Sequence, residues 1–387
     1  MIYLDNNSTT RVFESTADAM RPFFTDNFAN PASAIAQFGS IAKTIRADKT
    51  RMARALGADE ADQFVITSGA TESNNLALLG AARANPHRRH IVISSIEHPS
   101  VIEVSERLRA EGYQLNILPV SRSGVVDPGA VVGVLCPDTL LVSVMLANNE
   151  TGVIQPLRAL SGFVKKHDPE ILLHTDATQA VGKIQIELSG DLADIDLLSF
   201  SAHKFHGPKG TGALFVRDGN FLAPILHGGG QQSGLRAGTE NPAGVVGMVT
   251  ALSTMLASSA ALSNVERLRD QLESRIVALF PNAFILGASV ARLPTTLNVC
   301  LPGIDAEDLV DRMASRNIAI SAGSACSYGA RKPSYVVLAH GVPYEQAKGC
   351  IRLSLSIETT QREVDIFLEV FAEFLGLMDR QTIIGER

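Results

Sequence analysis

Short apolar runs alternate with helix-length stretches through the first 216 residues of this 387-residue chain. Runs at 64–67, 90–94, 115–120, 140–145 and 171–174, and one ending at Phe200, are separated by helical segments at 76–84, 101–111 and 157–167. Strands joined by helices pair in parallel, and their crossovers cover both faces of the sheet. The expected fold class is therefore α/β, with a mostly parallel sheet between helices. A hydrophobic share of 45% supplies a large core, and the length allows about two or three domains.

After residue 216 the texture changes. The stretch HGGGQQSGLRAGTEN (227–241) has too few apolar residues to hold itself together, and a long helical region at 243–280 reads as a connector. An α+β pattern follows: strand 296–301, helix 306–316, strands 318–321 and 350–355, then an amphipathic helix. That helix opens with Thr360 and Glu363 at capping-box spacing, and its apolar positions 364, 367, 368, 371, 374 and 375 recur at helical intervals. The expected division is a large domain at 15–255 and a small one built from 1–14 and 256–387, with the tail after Asp379 fraying.

A net charge of −6 without any block of Lys or Arg leaves no electrostatic footprint for nucleic acid or acidic lipid. MIYLDNNSTT is not a signal peptide by its pattern, because Asp5 interrupts the apolar run and no basic region precedes it. Residues 241–265 carry no charge, but their many hydroxyls and Pro242 fit a helix buried between layers better than a membrane span. Cys136, Cys300, Cys326 and Cys350 form no C-x-x-C pair, so neither a zinc knuckle nor a disulfide scaffold is expected, and a cytoplasmic location fits. Three of them lie among Leu, Val and Ile and are expected in the core. Cys326 lies instead in the small, polar SAGSACSYGARKPS, an exposed loop in which Arg331 and Lys332 favour a reactive thiolate.

Chemistry concentrates at 176–212, where Asp176, Gln179, Ser201, His203 and Lys204 gather at two strand ends ahead of Gly207, Gly210 and Gly212. A lysine leaving a buried strand can lose its solvation and form a Schiff base with a carbonyl cofactor. Ser68-Gly69-Ala70-Thr71 opens a helix and outlines an anion site. His98 stands between a strand and a helix, where it either caps the helix or faces a ligand. Arg352 sits in the buried-looking CIRLSLS, as a structural ion pair or as a clamp for a carboxylate. An aldehyde with a ring nitrogen and a phosphate, such as pyridoxal 5'-phosphate, gives each of these groups a role.

Taken together, ITSGATESNN, IEHPSV, VSVMLANNETG, HTDATQAVGK, FSAHKFHGPKGTGAL, RAGTEN, SAGSACSYG and IRLSLS resemble the cysteine desulfurases of the NifS/IscS type. These are fold-type I pyridoxal-phosphate enzymes of the class V aminotransferase superfamily, with a mostly parallel seven-stranded sheet and a smaller α+β domain. The resemblance implies Lys204 as the Schiff-base lysine, Asp176 and Gln179 on the ring, and His98 stacked over it among the catalytic groups. It also implies Ala70, Thr71, Ser201 and His203 around the phosphate, Asn149 and Arg352 on the substrate carboxylate, and Cys326 as sulfur acceptor. Thr239 is implied to reach the phosphate of a neighbouring subunit, hence a homodimer. The implied reaction takes L-cysteine to L-alanine and passes the sulfur, as a persulfide on Cys326, to an acceptor protein such as an iron–sulfur scaffold or a thiolation enzyme. The competing reading is another fold-type I enzyme, a selenocysteine lyase or an aminotransferase, that does not depend on Cys326. The chain departs from the family pattern at Ser8, Ala29, Ala32, Ala36, Leu146, Gln232 and Ser233.

Overall fold

The computed structural model describes residues 1–33, 41–323 and 332–385. Its main sheet is built from β2 (Phe64–Thr67), β3 (His90–Ser94), β4 (Gln114–Leu118), β5 (Thr139–Ser143), β6 (Leu172–Asp176), β7 (Leu197–Ser201) and β8 (Gly212–Val216). Their order is β2-β8-β7-β6-β5-β3-β4. Neighbours are parallel except around β8, which runs against both β2 and β7. Alternate residues of a strand face opposite sides, and both sides are buried here except along the edge strand β4, which is mostly exposed. Ile91, Ile93, Leu141 and Leu197 pack with Leu76 and Leu108 of the helices Ala70–Ala84 and Pro99–Ala110. Val92, Val142, Leu198 and Phe200 pack on the other face with Met248 and Leu252 of the helix Pro242–Leu256.

A second core surrounds an antiparallel sheet of β9 (Phe284–Ile285), β10 (Thr296–Cys300) and β12 (Cys350–Ser354). Leu297, Val299 and Leu353 meet Leu268 of the helix Ser259–Leu279 and Phe367 of the helix Gln361–Gly385. That last helix carries its capping box: Thr360 N–H donates to Glu363 Oε2 and Glu363 N–H to Thr360 Oγ1. The chain's first residues belong to this core. Strand β1 (Ile2–Tyr3) pairs in parallel with β11 (Ile318–Ala319), and Leu4 is fully buried in the second core. The arm then crosses to the main sheet, where Thr10 N–H donates to the His203 carbonyl.

Three expectations need correction. The connector is two helices, Pro242–Leu256 and Ser259–Leu279, meeting at 71°. Among the described residues no single helix is long and apolar enough to cross a membrane. Cys300 and Cys350, 50 residues apart, are joined by a disulfide, because the antiparallel register of β10 and β12 sets them directly opposite each other. Cys136 is half-buried rather than in the core, 3.4 Å from His90 Nδ1.

Because Leu4 ties the arm to the second core, Leu4→Ala should destabilise the protein by about 2–5 kcal/mol, the range for emptying a buried leucine site. Denaturant unfolding followed by circular dichroism measures this. A parent-like midpoint would show that the arm is not anchored there.

Candidate active site

A cavity of about 430 Å³ opens at the C-terminal ends of β2, β6 and β7, where ligands bind in α/β sheets. Ala70, Thr71, His98, Asn149, Asp176, Gln179, Ser201, His203, Lys204 and Arg352 all line it. The parallel sheet brings the residues of five separate motifs together, since each strand delivers the residues after it to the same edge, and β12 of the second sheet adds Arg352.

Lys204 follows β7 by one short 3₁₀ turn, Ala202–Lys204. Its Nζ donates to the backbone carbonyls of Asn7 and Ser8, both at 2.7 Å. Gln179 Nε2 donates to the same Asn7 carbonyl at 3.0 Å. Burial, then the positive charges of Lys204, Lys209 and Lys183, bring the neighbouring His203 imidazole down to about 4, so it is neutral near pH 7. Its Nδ1 lies 3.1 Å from Thr9 Oγ1.

Asp176 ends β6, buried, with Oδ1 accepting from Thr178 N–H and Oδ2 from Asn74 Nδ2, each at 2.9 Å. Asn74 Nδ2 also donates to Ser100 Oγ, which lies 2.8 Å from His98 Nδ1. Ser100 N–H donates to that same Nδ1. The bonding pattern makes Nδ1 an acceptor and leaves the ring proton on Nε2. Burial lowers the pKa of His98, which Asp176 partly offsets, so the ring is held towards its neutral form. His98 therefore caps the helix Pro99–Ala110 and lines the cavity at once.

The corner formed by Ser68, Gly69, Ala70 and Thr71 lies at the start of the helix Ala70–Ala84, whose N-cap Gly69 (φ 150°) has no side-chain cap. The helix start thus presents unsatisfied N–H groups with Ser201 and His203 nearby. The approach is close: a Cβ on Gly212 would stand 2.5 Å from the Phe200 carbonyl and 2.7 Å from Gly69 Cα.

At the other end, Arg352 is buried on β12. Nη2 donates to Asp5 Oδ1 at 2.5 Å and Ser8 Oγ at 2.8 Å, and Nη1 to the Asn149 carbonyl at 3.1 Å. Arg352 Nε and Asn149 Oδ1 are buried and lack hydrogen-bond partners among the described residues.

Not every expected residue reaches the cavity. Thr239 lines an adjoining cleft of about 220 Å³ that shares Ser68 and Gly210 with it. The Gly-rich loop is fastened to its own chain by Arg236 Nε to Glu72 Oε1 at 2.7 Å and by Ile66 N–H to Gln232 Oε1 at 3.0 Å. Cys326 and Ala36 lie outside the described residues. Of the departures, Leu146 is buried in the main core, Gln232 and Ser233 take left-handed backbone angles (φ 49° and 58°), and Ser8 contacts Arg352.

Residues that sequence reasoning missed are Asn7, Lys183, Asn74 and Glu97. Lys183 Nζ, buried, donates to Gln179 Oε1 at 2.7 Å and Asn7 Oδ1 at 3.2 Å. A lysine enclosed by Ala180, Val181 and Ile184, four residues after Gln179, was the available signal. Glu97 is fully buried, its Oε1 accepting from Ser94 Oγ at 2.5 Å and Met145 N–H at 2.7 Å, and burial pushes its pKa up to about 8.

A mostly parallel seven-stranded sheet with a lysine at its strand ends, backed by a second and smaller core, is the fold-type I architecture. Residues 2–367 match the family Aminotransferase class-V. The chain is 40% identical to the cysteine desulfurase NifS of Azotobacter vinelandii over 365 residues, 94% of this chain and 90% of that protein. It is 43% identical to a cysteine desulfurase of Cereibacter sphaeroides over 370 residues, 95% of this chain and 94% of that protein. A solved NifS-like protein superposes with a TM-score of 0.90 at 36% identity, covering 97% of this chain and 99% of that one. The chain belongs to the class V aminotransferase family, in its cysteine desulfurase branch.

Glu97 provides a pH test. Its folded-state pKa of about 8 lies above the ordinary carboxyl value of 4.5, so between these limits the folded state holds a proton that the unfolded chain has lost. Its contribution to stability is present below pH 4.5 and is lost as pH rises through 8, with a slope of roughly one kcal/mol per pH unit. Glu97→Gln should remove that slope. Melting curves of both proteins between pH 5 and 8 measure the difference, and parallel curves would refute the assignment.

Proposed function

We propose that this chain converts L-cysteine to L-alanine and carries the released sulfur on Cys326. The observation that carries the reading is Ser8, whose carbonyl accepts from Lys204 and whose hydroxyl accepts from Arg352. One residue thus sets the amine-handling lysine beside the carboxylate clamp, the spacing that an α-amino acid needs.

The site fits pyridoxal 5'-phosphate by its uncapped helix start, its close glycine approach at Gly69 and Gly212, and Asn149 Oδ1 and Arg352 Nε, which have no partner among the described residues. Ala70, Thr71, Ser201 and His203 would hold the phosphate, Asp176 the ring nitrogen and Gln179 the ring oxygen, with His98 over the ring face. Bound there, the cofactor supplies an electrophilic carbonyl and a sink for an electron pair at the substrate Cα. Lys204 moves the Cα proton. Arg352 and Asn149 hold the carboxylate through a charge-assisted fork. The Cys326 thiolate attacks the substrate sulfur: an S–S bond forms, the Cβ–S bond breaks with its electron pair left on carbon, and protonation there yields alanine. The sulfur then passes to an acceptor protein such as an iron–sulfur scaffold or a thiolation enzyme.

The same reading makes the protein a cytoplasmic homodimer in which Thr239 serves the partner's phosphate site. It also treats 15–255 as the large domain and 1–14 with 256–387 as the small one. Likeness to cysteine desulfurases favours desulfuration over the aminotransferase or selenocysteine lyase alternative.

Purified protein loaded with pyridoxal phosphate and given L-cysteine should release alanine. In Cys326→Ser that release should fall on the order of a hundredfold or more, as for loss of a reacting group, while the bound-cofactor absorbance stays. Undiminished alanine release by Cys326→Ser would remove Cys326 from the reaction.

A further inference from the structure

Lys183 is a buried cation without a carboxylate partner among the described residues. It is 5% exposed, and its hydrogen bonds go to two neutral amide oxygens, Gln179 Oε1 and Asn7 Oδ1. Burying an ammonium group without a counter-ion is costly, and the nearby positive charges of Lys204 and Arg352 add to the cost. Burial, then those two charges, bring Lys183 down to about 7. An apolar side chain in the same space would be cheaper, so the amine must serve an arrangement that an apolar residue cannot.

That arrangement is the orientation of Gln179. A carboxamide can turn over and exchange its oxygen for its nitrogen, and at a cavity wall this turns a donor into an acceptor. Here both ends are specified. Lys183 as an ammonium has no acceptor capacity and can be met only by the oxygen, and the Asn7 carbonyl, having no donor, only by the nitrogen. Gln179 Nε2 has a second N–H beyond the one given to Asn7, and Gln179 lines the cavity. Asn7 is fixed in turn, its Nδ2 donating to Thr296 Oγ1 at 2.9 Å and its N–H to Ser354 Oγ at 2.9 Å.

We propose that Lys183 is a positioning residue that locks the Gln179 amide as a hydrogen-bond donor into the cavity, so that the site selects a ring bearing an anionic oxygen at that point. The inference rests on the reading of the cavity as a pyridoxal-phosphate site and adds to it the group that enforces recognition of the ring oxygen. Neither Lys183 nor the ring need touch the other. Lys183→Met keeps the stem and removes the donor to Gln179 Oε1, leaving the Asn7 carbonyl as the remaining contact that orients the amide.

The test compares two ligands by equilibrium titration of cofactor-free protein: pyridoxal phosphate and its analogue lacking the ring hydroxyl. The parent should prefer pyridoxal phosphate. Lys183→Met should weaken pyridoxal phosphate binding about tenfold, the scale of one charge-assisted hydrogen-bond arrangement, and leave the analogue unchanged. In a Gln179→Ala background the same change should no longer move the ratio of the two affinities. A merely structural lysine predicts equal weakening for both ligands, or a ratio that Lys183→Met still moves without Gln179; either result overturns the proposal and leaves the cofactor reading standing. Failure of the parent to bind pyridoxal phosphate overturns both.

Discussion

The carbonyl oxygen of Asn7 accepts hydrogen bonds from Lys204 and Gln179, and the geometry of the site depends on it. The same residue reaches the second core through Ser354 and Thr296, while its side-chain oxygen accepts from Lys183. One residue of the N-terminal arm therefore joins the lysine at the end of β7 to the sheet that carries Arg352. The arm is held by Leu4 on one side and by Thr10 on the other, so Asn7 occupies a fixed position between the two cores. Each polar group on it is paired, which is what makes a buried asparagine tolerable.

The charges around the cavity follow a consistent pattern. Lys204, Lys183 and Arg352 lie in or beside it, and Lys209 lines it. Asp176 and Asp5 are held by hydrogen bonds from Asn74 and Arg352. Glu97 is pushed towards its protonated form by burial, and the histidines at 98 and 203 are pushed towards neutrality. The cavity thus carries Lys204, Lys209 and Arg352 on its wall, cations that suit a ligand bearing a phosphate and a carboxylate.

Much of this was legible in the sequence because parallel strands buried on both faces leave continuous apolar runs, and β2, β3, β6 and β7 stand close to where those runs lie. Lys204, Asp176 and Thr71 were legible because each follows such a run directly. The reversed direction of β8 was not, although the link from β7 has no room for a crossover helix. The pairing of Cys300 with Cys350 was hidden because register, and not spacing, brings them together. Asn7 was illegible for the same physical reason: its partners lie over a hundred residues away, and local pattern carries no trace of such contacts. Lys183 left only a local signal, a lysine among apolar residues four positions after Gln179.

The central claim is that the cavity delivers sulfur from L-cysteine to Cys326. The most direct measurement is a single turnover with sulfur-labelled L-cysteine, followed by digestion without reductant and mass mapping of the four cysteines. The account predicts labelled sulfur on the Cys326 peptide, released by thiol treatment, in step with alanine. Alanine formed while Cys326 carries no added sulfur, or label found only on Cys136, would contradict it.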